Sequence, residues 1–169
     1  ASLKEYICNV AIPIFEDAII NTGETQYIYD FAYIIKGANI SKLEDAIINT
    51  GDMVSIYNFA KYIKGANISK LEDGIINTGY AMFIYKFASD INGANISKLE
   101  DAIINTGDIA YIYNFARDIN GANISKLKNY VKDTVLKTME TGSTEDISDL
   151  SCCLPHQIAD EIKFYDLFN

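Results

Sequence analysis

The residues of this chain that are best suited to catalysis or metal binding are three cysteines and a single histidine. Cys152, Cys153 and His156 form a Cys-Cys-x-x-His group, whose soft ligands could bind zinc and whose thiol and imidazole could form a nucleophilic pair. Adjacent cysteines rarely close a tetrahedral zinc site, and no glycine-rich or other recognisable catalytic motif accompanies them. We therefore predict that the chain is not an enzyme and uses no catalytic residue, metal ion or cofactor.

Paired carboxylates are the second group that could act chemically, because they recur at a fixed spacing. A row of acids could form a track that fits a basic groove. Alternatively, they stabilise the positive ends of helices and cap them, while nearby lysines reduce their mutual repulsion. We favour this structural interpretation. The pairs are Glu16 and Asp17, Glu44 and Asp45, Glu72 and Asp73, and Glu100 and Asp101; the lysines are Lys42, Lys70, Lys98 and Lys126.

These acids belong to a 28-residue unit that repeats four times. Each copy reads close to E-D-A-I-I-N-T-G-x-x-x-x-I-Y-x-F-A-x-x-I-x-G-A-N-I-S-K-L. Such self-similarity indicates a repeat architecture, in which each unit buries its apolar face against its neighbours. The copies are Glu16–Leu43, Glu44–Leu71, Glu72–Leu99 and Glu100–Leu127.

The first helix of each unit, which we call helix A, is marked by start and stop signals. Around the start of the third copy, Ser69 and Glu72 match a capping box, which predicts a helix over roughly 70–77. Gly79 follows and allows the left-handed turn that ends many helices. An asparagine precedes each helix A and is predicted to satisfy backbone groups of the turn: Asn39, Asn67, Asn95 and Asn123.

The second helix, helix B, is predicted over roughly 52–64 in the second copy, with Asp52 as its N-cap and Gly65 as its stop. Apolar residues recur there at i, i+3, i+4 and i+7, the spacing of one helix face. This stripe should form a core that is continuous only when hairpins stack. It consists of Ile56, Phe59, Ala60 and Ile63.

The chain as a whole is predicted to be all-α, an α-solenoid of about four to five stacked helical hairpins with capping helices at both ends. In the N-terminal cap, Tyr6–Ala11 resembles a degenerate helix B. In the C-terminal cap, a fifth helix A lengthens through Lys137, and an acidic loop over 142–149 precedes a last helix over 156–168. The predicted regions are an N-terminal cap over 1–15, four repeats over 16–127 and a C-terminal cap over 128–169.

Most differences between the copies fall on helix B, on the side away from its apolar stripe. One interpretation is a recognition surface, in which framework residues hold the stack and exposed residues vary to fit a partner, with aromatic anchors. The other is drift at solvated positions that nothing restrains. Both remain open. The candidate binding residues are Tyr27, Asp30, Tyr33, Ser55, Asn58, Lys61, Tyr62, Phe83, Lys86, Asp90, Tyr111, Asn114, Arg117 and Asp118.

Charge and composition narrow the classes of partner. The net charge of −9 disfavours direct binding to nucleic acid and suits a protein partner, which could be basic. No apolar run approaches the roughly 18 residues of a membrane span, so we predict no membrane contact. Three cysteines do not form a disulfide framework, which predicts a reduced, cytoplasmic protein.

The blocks Leu-Glu-Asp-Ala-Ile-Ile-Asn-Thr-Gly and Ile-Tyr-x-Phe-Ala resemble short α-hairpin repeat arrays in uncharacterised bacterial and phage proteins. The architecture is broadly similar to tetratricopeptide and HEAT solenoids, although the unit is shorter than either. The resemblance covers 16–127 and implies an interaction scaffold without a catalytic residue. We therefore expect a non-enzymatic protein-binding module. The alternative is an acidic, phage-encoded inhibitor that blocks a nucleic-acid enzyme of bacterial defence, such as a CRISPR nuclease.

Overall fold

The computed structural model describes residues 2–141, and every regular element in that range is helical. A short π-helical segment, Ile7–Ala11, separates the first two α-helices. The prediction of an all-α fold is confirmed. The α-helices are α1 Leu3–Tyr6, α2 Ile12–Thr22, α3 Thr25–Ile34, α4 Ile40–Thr50, α5 Met53–Tyr62, α6 Ile68–Thr78, α7 Ala81–Asp90, α8 Ile96–Thr106, α9 Ile109–Asp118 and α10 Ile124–Thr141.

The chain divides into two compact units, of which the first is residues 1–95. In this unit α2 and α3 form hairpin 1, α4 and α5 form hairpin 2, and α6 and α7 form hairpin 3. Helix A of each hairpin packs against helix A of the next, and the same holds for helix B. The predicted stacking of helical hairpins is therefore confirmed in this unit.

The second unit begins at Ile96 and, over 96–141, contains α8, α9 and α10. Helices α8 and α9 pair as a hairpin, and α10 packs against both. Helix α10 is 18 residues long and runs past Lys137, whereas α8 has 11 residues. The predicted acidic loop over 142–149 and last helix over 156–168, together with Cys152, Cys153 and His156, lie outside the described residues.

The apolar stripe of helix B forms the core, as its spacing predicted. In the first unit, Ile56, Phe59, Ile84 and Phe87 have almost no exposed surface, and Ile112 and Phe115 are equally buried in the second unit. Helix A contributes the other wall of each core. Its fully buried side chains are Leu43, Ile47, Leu71 and Ile75 in the first unit and Leu99 and Ile103 in the second.

The start of helix A differs from the predicted capping box. The N-cap of α6 is Asn67, whose side-chain oxygen accepts a hydrogen bond from the Lys70 backbone N–H at 3.2 Å. Ser69 is already the second residue of the helix, and the Glu72 carboxylate accepts a bond from the Asn95 backbone N–H. The capping-box prediction is therefore wrong, because the asparagine two residues earlier provides the cap. Ser69 and Asn67 are both good capping residues, which made the sequence ambiguous.

The Asn-Thr-Gly turn between helix A and helix B is closed by its threonine. The Thr78 hydroxyl donates to the Ile75 carbonyl at 2.7 Å and accepts from the Tyr80 backbone N–H at 3.4 Å. Gly79 follows in the left-handed conformation at φ 71°, as the sequence predicted. At the start of helix B in hairpin 2, Asp52 accepts from the Ser55 backbone N–H at 3.2 Å, so its predicted capping role is confirmed.

The N-terminal segment is helical but does not fold back as a separate helix B. In the interior turns, a glycine with positive φ, such as Gly65 at 87°, precedes the capping asparagine by two residues. The equivalent residues here are Asn9 and Ala11, which are 56 positions earlier than Gly65 and Asn67. Without the glycine and the cap, the helical backbone continues from Leu3 to Thr22. The π-helical segment interrupts its regular pattern just before Pro13, a residue with no N–H to donate.

Candidate protein-binding surface

The repeated glutamates do not form an open acidic track, because all four are buried. Each carboxylate accepts a hydrogen bond from the backbone N–H of the asparagine 23 residues later in the chain. For Glu44 this bond, from Asn67, is 2.6 Å long. The first N–H groups of a helix lack partners within it, so the glutamate caps the following helix rather than its own. The same bond joins Glu16 to Asn39 at 2.5 Å, Glu72 to Asn95 at 2.6 Å and Glu100 to Asn123 at 2.6 Å.

Burial and hydrogen bonding act on these glutamates in opposite directions. Loss of water raises the pKa of Glu44, whereas the bond from the Asn67 backbone N–H and the nearby Lys70 lower it in part. Three of the neighbouring aspartates are exposed and form ion pairs with the lysine of the following helix A: Asp17 with Lys42, Asp45 with Lys70 and Asp101 with Lys126. The structural interpretation of the acids is therefore the better one, although Glu44 bonds to the cap of the following helix and not of its own.

Most of the variable residues of helix B lie outside the core. Tyr27, Lys61, Lys86 and Arg117 are all exposed, as a surface role requires. Exposure is also high for Tyr33, Tyr62, Asp90 and Asp118, whereas Asp30, Ser55, Asn58, Tyr111 and Asn114 are half-buried.

Phe83 is an exception to the predicted exposure, because only 8% of its surface is accessible. Its ring packs edge-on against Tyr57 of the preceding helix B, with 6.1 Å between ring centroids. The equivalent residue in hairpin 1 is Tyr27, which is 58% exposed and has no hairpin before it within residues 2–141. This position of helix B therefore faces the previous repeat, and the expectation that Phe83 is exposed was wrong.

Two other candidate residues are engaged with each other across hairpins 2 and 3. The Lys61 ammonium lies 2.8 Å from the Asp90 carboxylate and 2.7 Å from the Tyr57 hydroxyl, which itself donates to Asp90. These bonds lower the pKa of Asp90 to about 2 and raise that of Lys61. Burial, followed by the Asp90 contact, raises the pKa of Tyr57. Part of the variability of helix B thus reflects pairing between neighbouring repeats.

Similar local pairs occur elsewhere on helix B. Arg117 donates two hydrogen bonds to Asp118, at 2.6 and 2.7 Å, and its guanidinium lies 5.5 Å from the centre of the Tyr113 ring. In hairpin 1, the Gln26 amide donates to Asp30 at 2.8 Å. These charges have intramolecular partners, whereas the rings of Tyr33 and Tyr62 keep much of their apolar surface exposed.

Exposed apolar residues concentrate at the N-terminal end of the first unit. Of the 14 large apolar side chains that are exposed in the described residues, nine precede Ile35. Sequence comparison of the four repeats missed six of them, because they lie before the first repeat. Their helical spacing could nevertheless have predicted an apolar helix face from the sequence. The six are Leu3, Tyr6, Ile7, Val10, Ile14 and Phe15.

A groove at the same end marks the uncovered side of hairpin 1. It has a volume of about 310 Å³, and its accessible surface is almost entirely apolar. Phe31 lies in it half-buried, although the equivalent Phe59 and Phe87 of hairpins 2 and 3 are fully buried. The interior phenylalanines have a hairpin on this side, whereas none of the described helices forms a hairpin on this side of Phe31. The groove is lined by Ile19, Tyr27, Asp30, Phe31, Ile34 and Ile35.

Other kinds of site find no support in the part of the chain that the structure describes. No group of three or more His, Cys, Asp or Glu side chains in that part is arranged to hold a metal ion. Cys8 is a free, exposed thiol. No helix within residues 2–141 combines the length and apolar character needed to cross a bilayer.

Comparisons with known proteins add no relative. No protein-family model matches the chain, and neither curated proteins nor solved structures give a match. The resemblance to bacterial and phage repeat arrays therefore stays a prediction.

Proposed function

We propose that this chain is a non-enzymatic protein-binding module that uses exposed tyrosines of helix B. These are Tyr33 and Tyr62, which we call the aromatic row. The observation that carries the proposal is the exposure of Tyr33 and Tyr62, at 66% and 54%, on two successive B helices. Tyrosine presents a large, amphipathic surface and is enriched among the residues that dominate binding energy at protein interfaces. Charged rim residues beside such anchors add specificity rather than affinity.

Both tyrosines are held in place by their neighbours. The Tyr33 ring stacks on Tyr29, with 6.1 Å between centroids and 9° between planes. The Lys61 ammonium, itself bound to Asp90, lies 5.9 Å from the centre of the Tyr62 ring. Rings that are already ordered lose little conformational entropy when a partner binds. This supports a preformed contact surface.

The alternative function is an acidic protein that blocks a nucleic-acid enzyme by occupying its basic groove. The net charge of −9 supports it. However, the four repeated glutamates are buried, and Asp17, Asp45 and Asp101 are paired with lysines. Fewer free acids remain for a basic groove than the sequence suggests, which favours the aromatic row.

A pull-down with matched variants tests the proposal. The chain is immobilised, and proteins from its native host that it retains are identified by mass spectrometry. A true partner should be retained by the wild type, lost on the Tyr33→Ser/Tyr62→Ser double variant and kept on Tyr80→Ser. Tyr80 is a suitable control because it is an exposed tyrosine, at 56%, that is not among the candidate binding residues.

The ionic strength dependence of the same complex separates the two functions. Aromatic anchors predict binding that changes little with added salt. An acidic blocker predicts steep weakening with salt and no effect of the double variant, because long-range charge attraction is screened. A partner that is retained equally by the wild type and the double variant would contradict the aromatic row.

A further inference from the structure

We propose that two copies of this chain associate through their N-terminal ends, with the helical segment Leu3–Ala11 of each copy lying in the apolar groove of the other. The groove is the one on hairpin 1, to which α2 contributes Ile19 and α3 with its C-cap contributes the rest of the lining: Tyr27, Asp30, Phe31, Ile34 and Ile35. Two features of the same chain, an uncovered groove and an uncovered apolar helix, are thereby matched.

The repeat itself indicates what fits the groove. In hairpins 2 and 3 the residues equivalent to Ile19, Phe31 and Ile35 are buried, and the preceding helix B packs against both helices that follow it. The N-terminal segment carries the residues of such a helix B. By the repeat register, Leu3 stands where Phe59 does, Tyr6 where Tyr62 does, and Ile7 where Ile63 does.

The segment does not cover the groove of its own chain, because the backbone runs as a continuous helix into α2. The turn that would fold it back lacks its glycine and its capping asparagine, which are replaced by Asn9 and Ala11. Leu3, Ile7 and Val10 consequently stay exposed. A second copy can supply the same helix from outside.

Charge favours this end for contact between copies. The whole chain carries a net charge of −9, so two copies repel each other over most of their surfaces. Among residues 1–15 the only charged side chains are Lys4 and Glu5, which cancel. Lys4 also has the opposite charge to Asp30, the acid that lines the groove.

The amount of apolar surface fits a dimer rather than a chance contact. A two-fold arrangement uses the segment and the groove twice. Each copy then contributes six exposed apolar side chains, which are Leu3, Tyr6, Ile7 and Val10 of the segment and Tyr27 and Ile34 of the groove. Specific interfaces bury about 1,200–2,000 Å² in total, and twelve large apolar side chains can supply surface of that order.

Sedimentation velocity over a range of protein concentrations tests the association with the full chain. The wild type should show a monomer–dimer equilibrium. Leu3→Ser/Ile7→Ser in the segment and Ile34→Ser in the groove should each weaken dimerisation tenfold or more. Val54→Ser, an exposed apolar residue of α5 outside the groove, should not change it. All four positions are exposed, so the variants should stay folded, which circular dichroism can verify.

Disulfide trapping tests the pairing itself. In a background with Cys8, Cys152 and Cys153 replaced by Ser, chains carrying Leu3→Cys are mixed with chains carrying Ile34→Cys and oxidised. Linked heterodimers should exceed both linked homodimers. A wild type that stays monomeric at all concentrations, a dimer insensitive to the segment and groove variants, or a preference for homodimers would overturn the proposal. Tyr33 and Tyr62 lie outside the groove, so loss of partner binding is measured separately with their own variants.

Discussion

Hairpins 1 and 3 have nearly the same framework sequence but very different surroundings. Phe31 and Phe87 occupy the same repeat position, yet the first is half-buried and the second is fully buried. Tyr27 and Phe83 differ in the same way, because only Phe83 has a preceding helix B against its ring. The burial of a repeat position therefore depends on the neighbouring hairpin as much as on the residue itself.

The comparison also shows what an interior hairpin has and the N-terminal end lacks. Between hairpins 2 and 3, Glu44 bonds the cap of α6 and Lys61 bonds Asp90. No hairpin precedes α2 within the described residues, and the helical backbone runs straight through the place of the interior turn. Substitutions at these interior positions should therefore lower the stability of the fold by different amounts.

Removing an interior phenylalanine should cost far more stability than removing its counterpart at the end. Phe59→Ala should lower the free energy of unfolding by about 3–5 kcal/mol, because it leaves a cavity in a fully packed core. Phe31→Ala should cost less, since its ring is already partly accessible to solvent in the folded state. Urea denaturation measures both. Equal losses would show that hairpins 1 and 2 are packed alike.

Removing the buried carboxylate between hairpins 2 and 3 should be the next largest effect. Glu44→Ala should cost about 2–3 kcal/mol, because it leaves the Asn67 backbone N–H without its acceptor. Glu44→Gln retains an acceptor oxygen and should recover part of that loss. The matched control is Asp45→Ala, whose exposed ion pair should contribute at most about 1 kcal/mol. Equal effects of the two alanine variants would contradict the capping role of Glu44.

Giving an interior turn the residue found at the N-terminal end should have a moderate effect. Asn67→Ala copies Ala11 and removes the side-chain cap of α6, which should cost about 1 kcal/mol. Ser69→Ala should cost less, because Ser69 is not the N-cap. Thermal unfolding of both variants shows which of the two residues caps α6. A larger loss from Ser69→Ala would restore the capping box that the sequence predicted.

The Lys61–Asp90 pair should give a small dependence of stability on pH. Asp90 has a folded pKa of about 2, below its ordinary value of 3.8, so the unfolded state binds more protons between these values. Its stabilisation is present above pH 3.8 and is lost as the pH falls through about 2. Because both side chains are partly exposed, solvent screens the pair, and its effect should be the smallest of this series.

Asp90→Asn provides the comparison for that titration. The variant should be slightly less stable at neutral pH and should lose less stability than the wild type on acidification. Chemical denaturation at a series of pH values measures the difference. Parallel pH curves for the two proteins would show that the pair contributes nothing.

The helices, their hairpin arrangement and the core stripe were predictable because the apolar residues of each repeat recur with the 3.6-residue period of a helix. Phe59 and Ile63 needed no knowledge of the neighbours to be placed in the core. Which residue caps helix A was not predictable, since Asn67 and Ser69 are both suitable and only the path of the preceding turn decides.

The candidate surface was only partly predictable for a related reason. Sequence differences between the repeats identified the position of Phe83 as variable, but its burial follows from its contact with Tyr57 in the previous hairpin. The link between Lys61 and Asp90, 29 residues apart, joins two repeats and is invisible within one copy. The exposed stripe from Leu3 to Val10 precedes the first repeat, so comparing the copies with one another did not include it.

Thiol labelling at two equivalent positions tests the central claim most directly. Tyr27→Cys and Phe83→Cys are made separately in the background with the three native cysteines replaced by Ser, and are studied at concentrations low enough for the chain to be monomeric. After normalisation to the rate in denaturant, the thiol introduced at position 27 should react roughly tenfold or more faster than the thiol at position 83. The reason is that only position 83 is covered by a preceding helix B. Equal labelling rates would contradict the account.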